Sequence, residues 1–226
     1  GIAGESVGIF GTPVAPGVNA FAAALGHAPF RPRGAEADVW VGKLAAEPGA
    51  VWDYSDPAYV HLGLAFPHIT GEELDAFIQR RLCRAIGIEG LTWDRIGAAG
   101  IEPGEHTGAH GGIHLTAREM ARFGYLMLRQ GVWEGEEIVP SSWLDAVTRP
   151  SQPYNVQYGL GWWVNREGTW PGVPRDAFAA LGAKRNACLV IPSLDLVAVR
   201  LGTGPEGGWD TDPTFQQMVC AAARGG

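Results

Sequence analysis

Two apolar runs, Ala187–Ile191 and Leu196–Leu201, flank Pro192-Ser-Leu-Asp195 and constrain the fold more than any other stretch of the chain. Runs of this length and composition read as strands, and a connection built from Pro, Ser and Asp reads as a hairpin turn. Further strand texture at Tyr158–Asn165 and Ala177–Leu181 extends the pair into an antiparallel meander. A short helix over about Pro213–Ala223 closes the chain. The preceding residues have helical texture. Thr116-Ala-Arg-Glu119 is a capping box, in which the Thr hydroxyl takes one orphan N–H and the Glu reaches back to the cap. Ala117, Met120, Ala121, Gly124, Met127 and Leu128 then share one face, and Gly131 ends that helix. Thr70-Gly-Glu-Glu73 reads as a second capping box, followed by Leu74, Phe77, Ile78 and Leu82 at helical spacing. Residues 51–150 are therefore expected to be mainly helical, and residues 1–50 to be loops around a short helix near Val18–Leu25. Helices followed by a meander predict an α+β fold, with helices on one or both faces of the sheet.

Composition removes several function classes. A formal net charge of −7, with no Lys/Arg cluster, argues against nucleic acid as a partner. No apolar run approaches the ~18 residues that a membrane span needs. Cys83, Cys188 and Cys220 lack metal-ligand spacing and are too few for a disulfide framework. A chain of 226 residues buries enough surface to fold without such staples. No cofactor motif is found.

Three blocks carry a resemblance: Trp52-Asp-Tyr-Ser-Asp56, the run from Gly111 to Gly124 containing Thr116-Ala-Arg-Glu-Met-Ala-Arg122, and Val190-Ile-Pro-Ser-Leu-Asp-Leu-Val-Ala-Val199. In order and spacing they resemble the β-lactamase-related serine hydrolases, a group with class C β-lactamases, DD-peptidases and family VIII carboxylesterases. The resemblance implies the helical region plus antiparallel sheet of the serine β-lactamase/DD-peptidase-like fold. It also implies a hydrolase that acts on a small-molecule ester or amide through an acyl-enzyme, in the periplasm or secreted. Family members carry the nucleophile in Ser-x-x-Lys. The residues three positions after Ser6, Ser55, Ser141, Ser142, Ser151 and Ser193 are Ile9, Ala58, Leu144, Asp145, Tyr154 and Leu196, so the motif is absent. The expectation is a single β-lactamase-related domain, residues 1–226, whose nucleophile segment lies upstream.

By the resemblance, Tyr54-Ser55-Asp56 takes the place of the family's Tyr-x-Asn. Tyr54 is the candidate general base, since a phenolate beside a cation accepts a serine proton near neutral pH. Asp56 exchanges the usual amide for a charge that favours a nearby lysine. Ala180-Leu181-Gly182 takes the place of the family's edge-strand motif Lys/His-Thr/Ser-Gly, with the cationic side chain missing. Leu181, Gly182 and Ala183 would still border the substrate, because a backbone N–H such as that of Ala183 serves an oxyanion without a particular side chain. Lys184 would supply displaced positive charge, and His110 would line the cleft.

Two patterns compete with this reading. Gly4-Glu-Ser-Val-Gly8 matches the nucleophile elbow of α/β-hydrolases, which would make Ser6 the nucleophile. Only three residues precede it, and Gly11, Pro13 and Pro16 follow, so the required strand and helix are not legible. His106, His110 and His114 are spaced as zinc ligands on a helix would be, but Gly104, Gly108, Gly111 and Gly112 oppose a helix there, and no metal is expected. A third reading is a binding or structural relative that has lost catalysis, as Ala180 and Asp56 suggest.

Overall fold

The computed structural model describes residues 47, 49–96, 106–202 and 214–225. The expected helix near Val18–Leu25 and the Ser6 pentapeptide lie outside these residues. The chain divides into two compact units, one made of Gly1–Arg80 and Leu91–His114, the other of Arg81–Gly90 and Leu115–Gly226.

In the first unit, helix α1 (Asp56–Thr70) is followed by the short helix α2 (Leu74–Ile78), and the chain leaves this unit through a wider turn over Gln79–Cys83 before returning to it at Leu91. Four two-residue strands follow: β1 (Thr92–Trp93), β2 (Arg95–Ile96), β3 (His106–Thr107) and β4 (Ile113–His114). β1 pairs antiparallel with β4, and β2 with β3. The stretch read as mainly helical thus contains these strand pairs, which are too short to leave a period-2 signature. Val60 of α1 is fully buried, and Phe66 meets Phe77 of α2 edge to face at 5.2 Å. Gly63 lets α1 approach the backbone that follows β3. A Cβ there would stand 2.4 Å from the Thr107 carbonyl oxygen and 2.7 Å from the Ala109 nitrogen.

Thr70 is not an N-cap. It is the last residue of α1, and its hydroxyl donates to the Phe66 carbonyl at 2.9 Å. Gly71 ends α1 in the left-handed conformation with φ 79°, where an L side chain would be strained, and its N–H bonds to the Pro67 carbonyl. Helix α2 starts at Glu73 with no side-chain cap. The pattern Thr-x-x-Glu was present, but the preceding helix ran into it.

The second unit is built on a sheet with strand order β10-β9-β8-β7. It contains helix α3 (Ala117–Leu128), the hairpin β5 (Val132–Trp133) and β6 (Glu136–Glu137), helix α4 (Ser141–Val147), strands β7 (Trp163–Val164), β8 (Phe178–Gly182), β9 (Asn186–Ile191) and β10 (Leu196–Arg200), and helix α5 (Thr214–Arg224). The Thr116 capping box forms as expected: Thr116 Oγ1 accepts the Glu119 N–H at 3.2 Å, and the Thr116 N–H donates to Glu119 Oε2 at 2.8 Å. α3 ends at Leu128, and the Gly131 N–H donates to the Leu126 carbonyl at 2.9 Å.

Both faces of the sheet are apolar, and each is covered. Phe178, Cys188 and Val190 pack with Met127 and Leu128 of α3, Leu144 and Val147 of α4, and Trp162. Their strand neighbours Ala179, Leu189 and Ile191 pack on the other face with Trp170, Val173 and Cys220 of α5. Strand alternation sends successive side chains to opposite faces, so a strand that is apolar throughout demands cover on both. The expected hairpin is present: β9 and β10 pair Leu196 with Ile191, and Pro192–Leu194 make a single helical turn closed by Asp195 at φ 48°. The strand expected over Tyr158–Asn165 is not continuous. Tyr158 bridges back to Trp163 within the same stretch, and the Gly159 N–H donates to the Trp162 carbonyl at 2.8 Å. Gly159 and Gly161 interrupt the apolar alternation and let the chain double back.

Candidate active-site elements and family membership

Tyr54 immediately precedes the N-cap of α1. Ser55 is the N-cap, and its Oγ accepts the Ala58 N–H at 3.3 Å, with a proline in the first helical positions. A Ser followed by Pro57 is a helix start signal that the sequence itself carries. Tyr54 is half-buried, with its ring 6.4 Å from that of Tyr59. Asp56 is the first residue of α1 and is 6% exposed. A helix N-terminus stabilises a carboxylate by up to about 2 kcal/mol, whereas burying an unpaired one costs several. Burial wins, and it pushes the Asp56 carboxyl above the ordinary aspartate range.

Glu73, read from sequence as part of a cap, instead receives the strand across from it. Its Oε1 lies 2.9 Å from His106 Nδ1, and its Oε2 accepts the Thr107 N–H at 3.1 Å. Arg95 joins this group, 3.6 Å from Glu73 and 2.5 Å from Asp75. His114 Nε2 lies 2.9 Å from Asp94 Oδ1. The outer two of the three regularly spaced histidines thus face different carboxylates, and among the described residues no group of three His, Cys, Asp or Glu side chains is placed to hold a metal. His110 is half-buried in the loop between β3 and β4. Trp93 braces that loop, donating from Nε1 to the carbonyls of Gly108 and Gly111 at 3.1 and 2.7 Å. Burial lowers the pKa of His110, with the Asp94 charge acting in the opposite direction.

Leu181, Gly182, Ala183 and Lys184 lie in the second unit. β7 pairs only with Phe178 and Ala179, so beyond Ala179 strand β8 has β9 on one side and no strand on the other among the described residues. Gly182 is the last residue of β8 and pairs with Asn186. The turn between them is Ala183-Lys184-Arg185, with Lys184 at φ 58° and Arg185 at φ 62°. Two successive non-glycine residues in the left-handed region are strained, at a cost of order 1 kcal/mol each. Lys184 is exposed. Tyr54, Asp56 and His110 are thus together in one unit, and the β8 segment with Lys184 is in the other.

Behind β8, Asn165 was not anticipated from sequence. It is fully buried, and its Nδ2 donates to the carbonyls of Val173 and Pro174 at 3.1 and 3.0 Å. Its Oδ1 accepts the Trp170 N–H at 2.7 Å. This one side chain organises the loop that lays Trp170 against the sheet.

Residues 23–223 match the sequence profile of the beta-lactamase family. The chain belongs to the beta-lactamase family. Solved structures agree with this placement. A Bacillus anthracis protein provisionally named a 6-aminohexanoate-dimer hydrolase is 25% identical, with a TM-score of 0.66 over 81% of this chain and 46% of its own. A penicillin-binding protein homologue of Caulobacter crescentus is 15% identical, with a TM-score of 0.61 over 77% of this chain and 59% of its own. Unliganded simvastatin synthase of Aspergillus terreus is 13% identical, with a TM-score of 0.61 over 82% of this chain and 58% of its own. The last two likenesses show the fold alone. An uncharacterized protein of Alkalihalophilus pseudofirmus is 31% identical over 98 residues, which are 39% of this chain and 29% of that one. The chain therefore spans less than two thirds of each of these relatives. The family is one of β-lactamase-related serine hydrolases, and the α+β architecture expected from the sequence is the one observed. No helix among the described residues is long and apolar enough to cross a membrane.

Proposed function

We propose that this chain is part of a serine hydrolase that cleaves an ester or amide through an acyl-enzyme, with the Ser-x-x-Lys segment supplied upstream of Gly1. The observation that carries the proposal is the beta-lactamase family match over residues 23–223 in a sequence with no Ser-x-x-Lys. In this reading the serine Oγ attacks the substrate carbonyl carbon, and Tyr54 takes the serine proton and returns it to the leaving group. Water then releases the acyl group. Backbone N–H groups at the end of β8, around Gly182 and Ala183, face the developing oxyanion. The flank of β8 beyond Ala179, which pairs with no strand among the described residues, supports that role.

The test is covalent labelling with a fluorophosphonate probe. A protein carrying the upstream segment should label once, at the serine of Ser-x-x-Lys, and residues 1–226 alone should not label. Labelling of residues 1–226 at Ser6 would overturn the assignment. Ala180, which stands where a cation is usual, favours a second reading, that of a non-catalytic binding relative. In that case the longer protein would remain unlabelled.

A further inference from the structure

The tip of the β8–β9 hairpin reaches past both of its neighbours. β7 pairs with β8 only at Phe178 and Ala179, and β10 pairs with β9 only as far as Ala187, opposite Arg200. From Leu181 to Asn186 the hairpin therefore has no flanking strand among the described residues. Its turn is also a costly one. The Asn186 N–H donates to the Ala183 carbonyl, and Lys184 and Arg185 stand between them at φ 58° and 62°. These are the features of a type I′ turn, whose twist suits a hairpin but whose central positions ordinarily carry Asn and Gly. Lys and Arg each place a Cβ in the left-handed region, which biases a free turn toward other conformations.

β10 supplies a hold on this turn from where its pairing stops. Arg200 Nε donates to the Arg185 carbonyl at 2.8 Å, and the Gly202 N–H donates to Asn186 Oδ1 at 2.9 Å. The guanidinium is itself seated, with its carbon 4.6 Å from the centre of the Phe215 ring of α5. A charged donor makes a stronger bond to a carbonyl than a neutral one does, and the planar guanidinium loses little freedom on stacking. Arg200 thus ties the turn to α5.

We propose that Arg200 is a positioning residue for the β8 edge, fixing the Arg185 carbonyl so that the N–H groups of Gly182 and Ala183 keep one aim. Its place in turnover rests on the hydrolase reading above, but the hold on the turn does not. A backbone donor stabilises an oxyanion only while it stays within hydrogen-bond reach. A loosened turn therefore lowers kcat more than it raises KM.

Two measurements test the proposal in protein carrying the upstream segment. Arg200→Met keeps the length of the side chain and removes the donor, whereas Arg200→Gln restores a donor as many bonds from the backbone as Nε. The first measurement is trypsin cleavage after Lys184 and Arg185, read by mass spectrometry against cleavage elsewhere in the chain. Arg200→Met should be cut at the turn at least about tenfold faster, with Arg200→Gln close to the parent. The second is kcat/KM for 4-nitrophenyl butyrate and for its thionoester, in which sulfur replaces the carbonyl oxygen. Sulfur accepts hydrogen bonds poorly, so the preference for the oxygen ester reports on the N–H donors and not on the folded fraction. That preference should fall at least about tenfold in Arg200→Met, mainly through kcat, and stay within about threefold of the parent in Arg200→Gln. Phe215→Leu removes the ring beneath the guanidinium without touching β10, and should move both readouts the same way by a smaller factor. Unchanged cleavage at the turn in Arg200→Met overturns the proposal, as do equal losses in the Met and Gln variants. An active parent whose ester preference survives in Arg200→Met overturns it as well. A parent that hydrolyses neither ester, with Arg200→Met still cut faster at the turn, would sink the hydrolase reading and leave the hold by Arg200 standing.

Discussion

Replacing Asn165 by alanine should be among the most damaging single changes in the second unit. The substitution leaves the Trp170 N–H without its 2.7 Å acceptor and the Val173 carbonyl without its 3.1 Å donor. The Pro174 carbonyl also loses a donor, at 3.0 Å, but it keeps the Ala177 N–H at 3.1 Å. Asn165 is fully buried, so water does not replace these partners. Each buried group left unsatisfied costs about 1–3 kcal/mol. With two such groups and a vacated side-chain volume, the sum is about 3–5 kcal/mol. A chain of this size loses roughly 2–4 °C of Tm per kcal/mol, which places the drop near 10 °C. Asn165→Asp keeps the acceptor for Trp170 but sets a carboxylate against two carbonyl oxygens, so it should be at least as harmful at pH 7 and recover partly at pH 4. Urea melts followed by tryptophan fluorescence measure both variants. A cost below about 1 kcal/mol for Asn165→Ala, at unchanged m-value, would refute the claim that this side chain holds the loop.

Gly63→Ala should destabilise the first unit by about 1–3 kcal/mol or more in a chemical melt, because the new methyl meets backbone atoms at 2.4 and 2.7 Å that have no rotamer to change. Unchanged stability would mean that α1 does not approach the Thr107–Ala109 backbone this closely. Burial pushes the Cys188 thiol up to about 12 and raises those of Cys83 and Cys220. Ellman's reagent at pH 8 should therefore find the Cys188 thiol silent until denaturant is added, and prompt reaction there in the native state would contradict its burial. Asp56→Asn should raise Tm at pH 7. The folded-state pKa of Asp56 lies above its ordinary value of 3.8, so the native state binds that proton more tightly and the parent loses stability as pH rises through this range. The advantage of the Asn variant should grow from pH 4 upward and then level off, as read by calorimetry at matched ionic strength. An advantage that shrinks with rising pH would reverse the sign of the argument.

Local chemistry alone made much of this protein legible. The β9–β10 hairpin followed from two apolar runs around Pro192–Asp195, and α3 followed from the reciprocal cap of Thr116 and Glu119, because both signals are satisfied within a few residues. The absence of Ser-x-x-Lys and the Tyr54-Ser55-Asp56 triplet were likewise plain in the sequence. Tertiary structure decided the rest. Thr-x-x-Glu at Thr70–Glu73 is as good a cap as Thr116–Glu119, yet Glu73 faces His106 and the Thr107 N–H, partners more than thirty residues away in the chain. Asn165 lay inside what read as one continuous strand, and its value comes from three backbone groups that only the folded loop brings to it. The sequence shows Asp56 only as the third residue of the Tyr54-Ser55-Asp56 triplet. Its burial is set by packing around α1, which no local pattern encodes. Periodicity and capping depend on neighbours in sequence, so they can be read from it, whereas burial and polar satisfaction depend on neighbours in space.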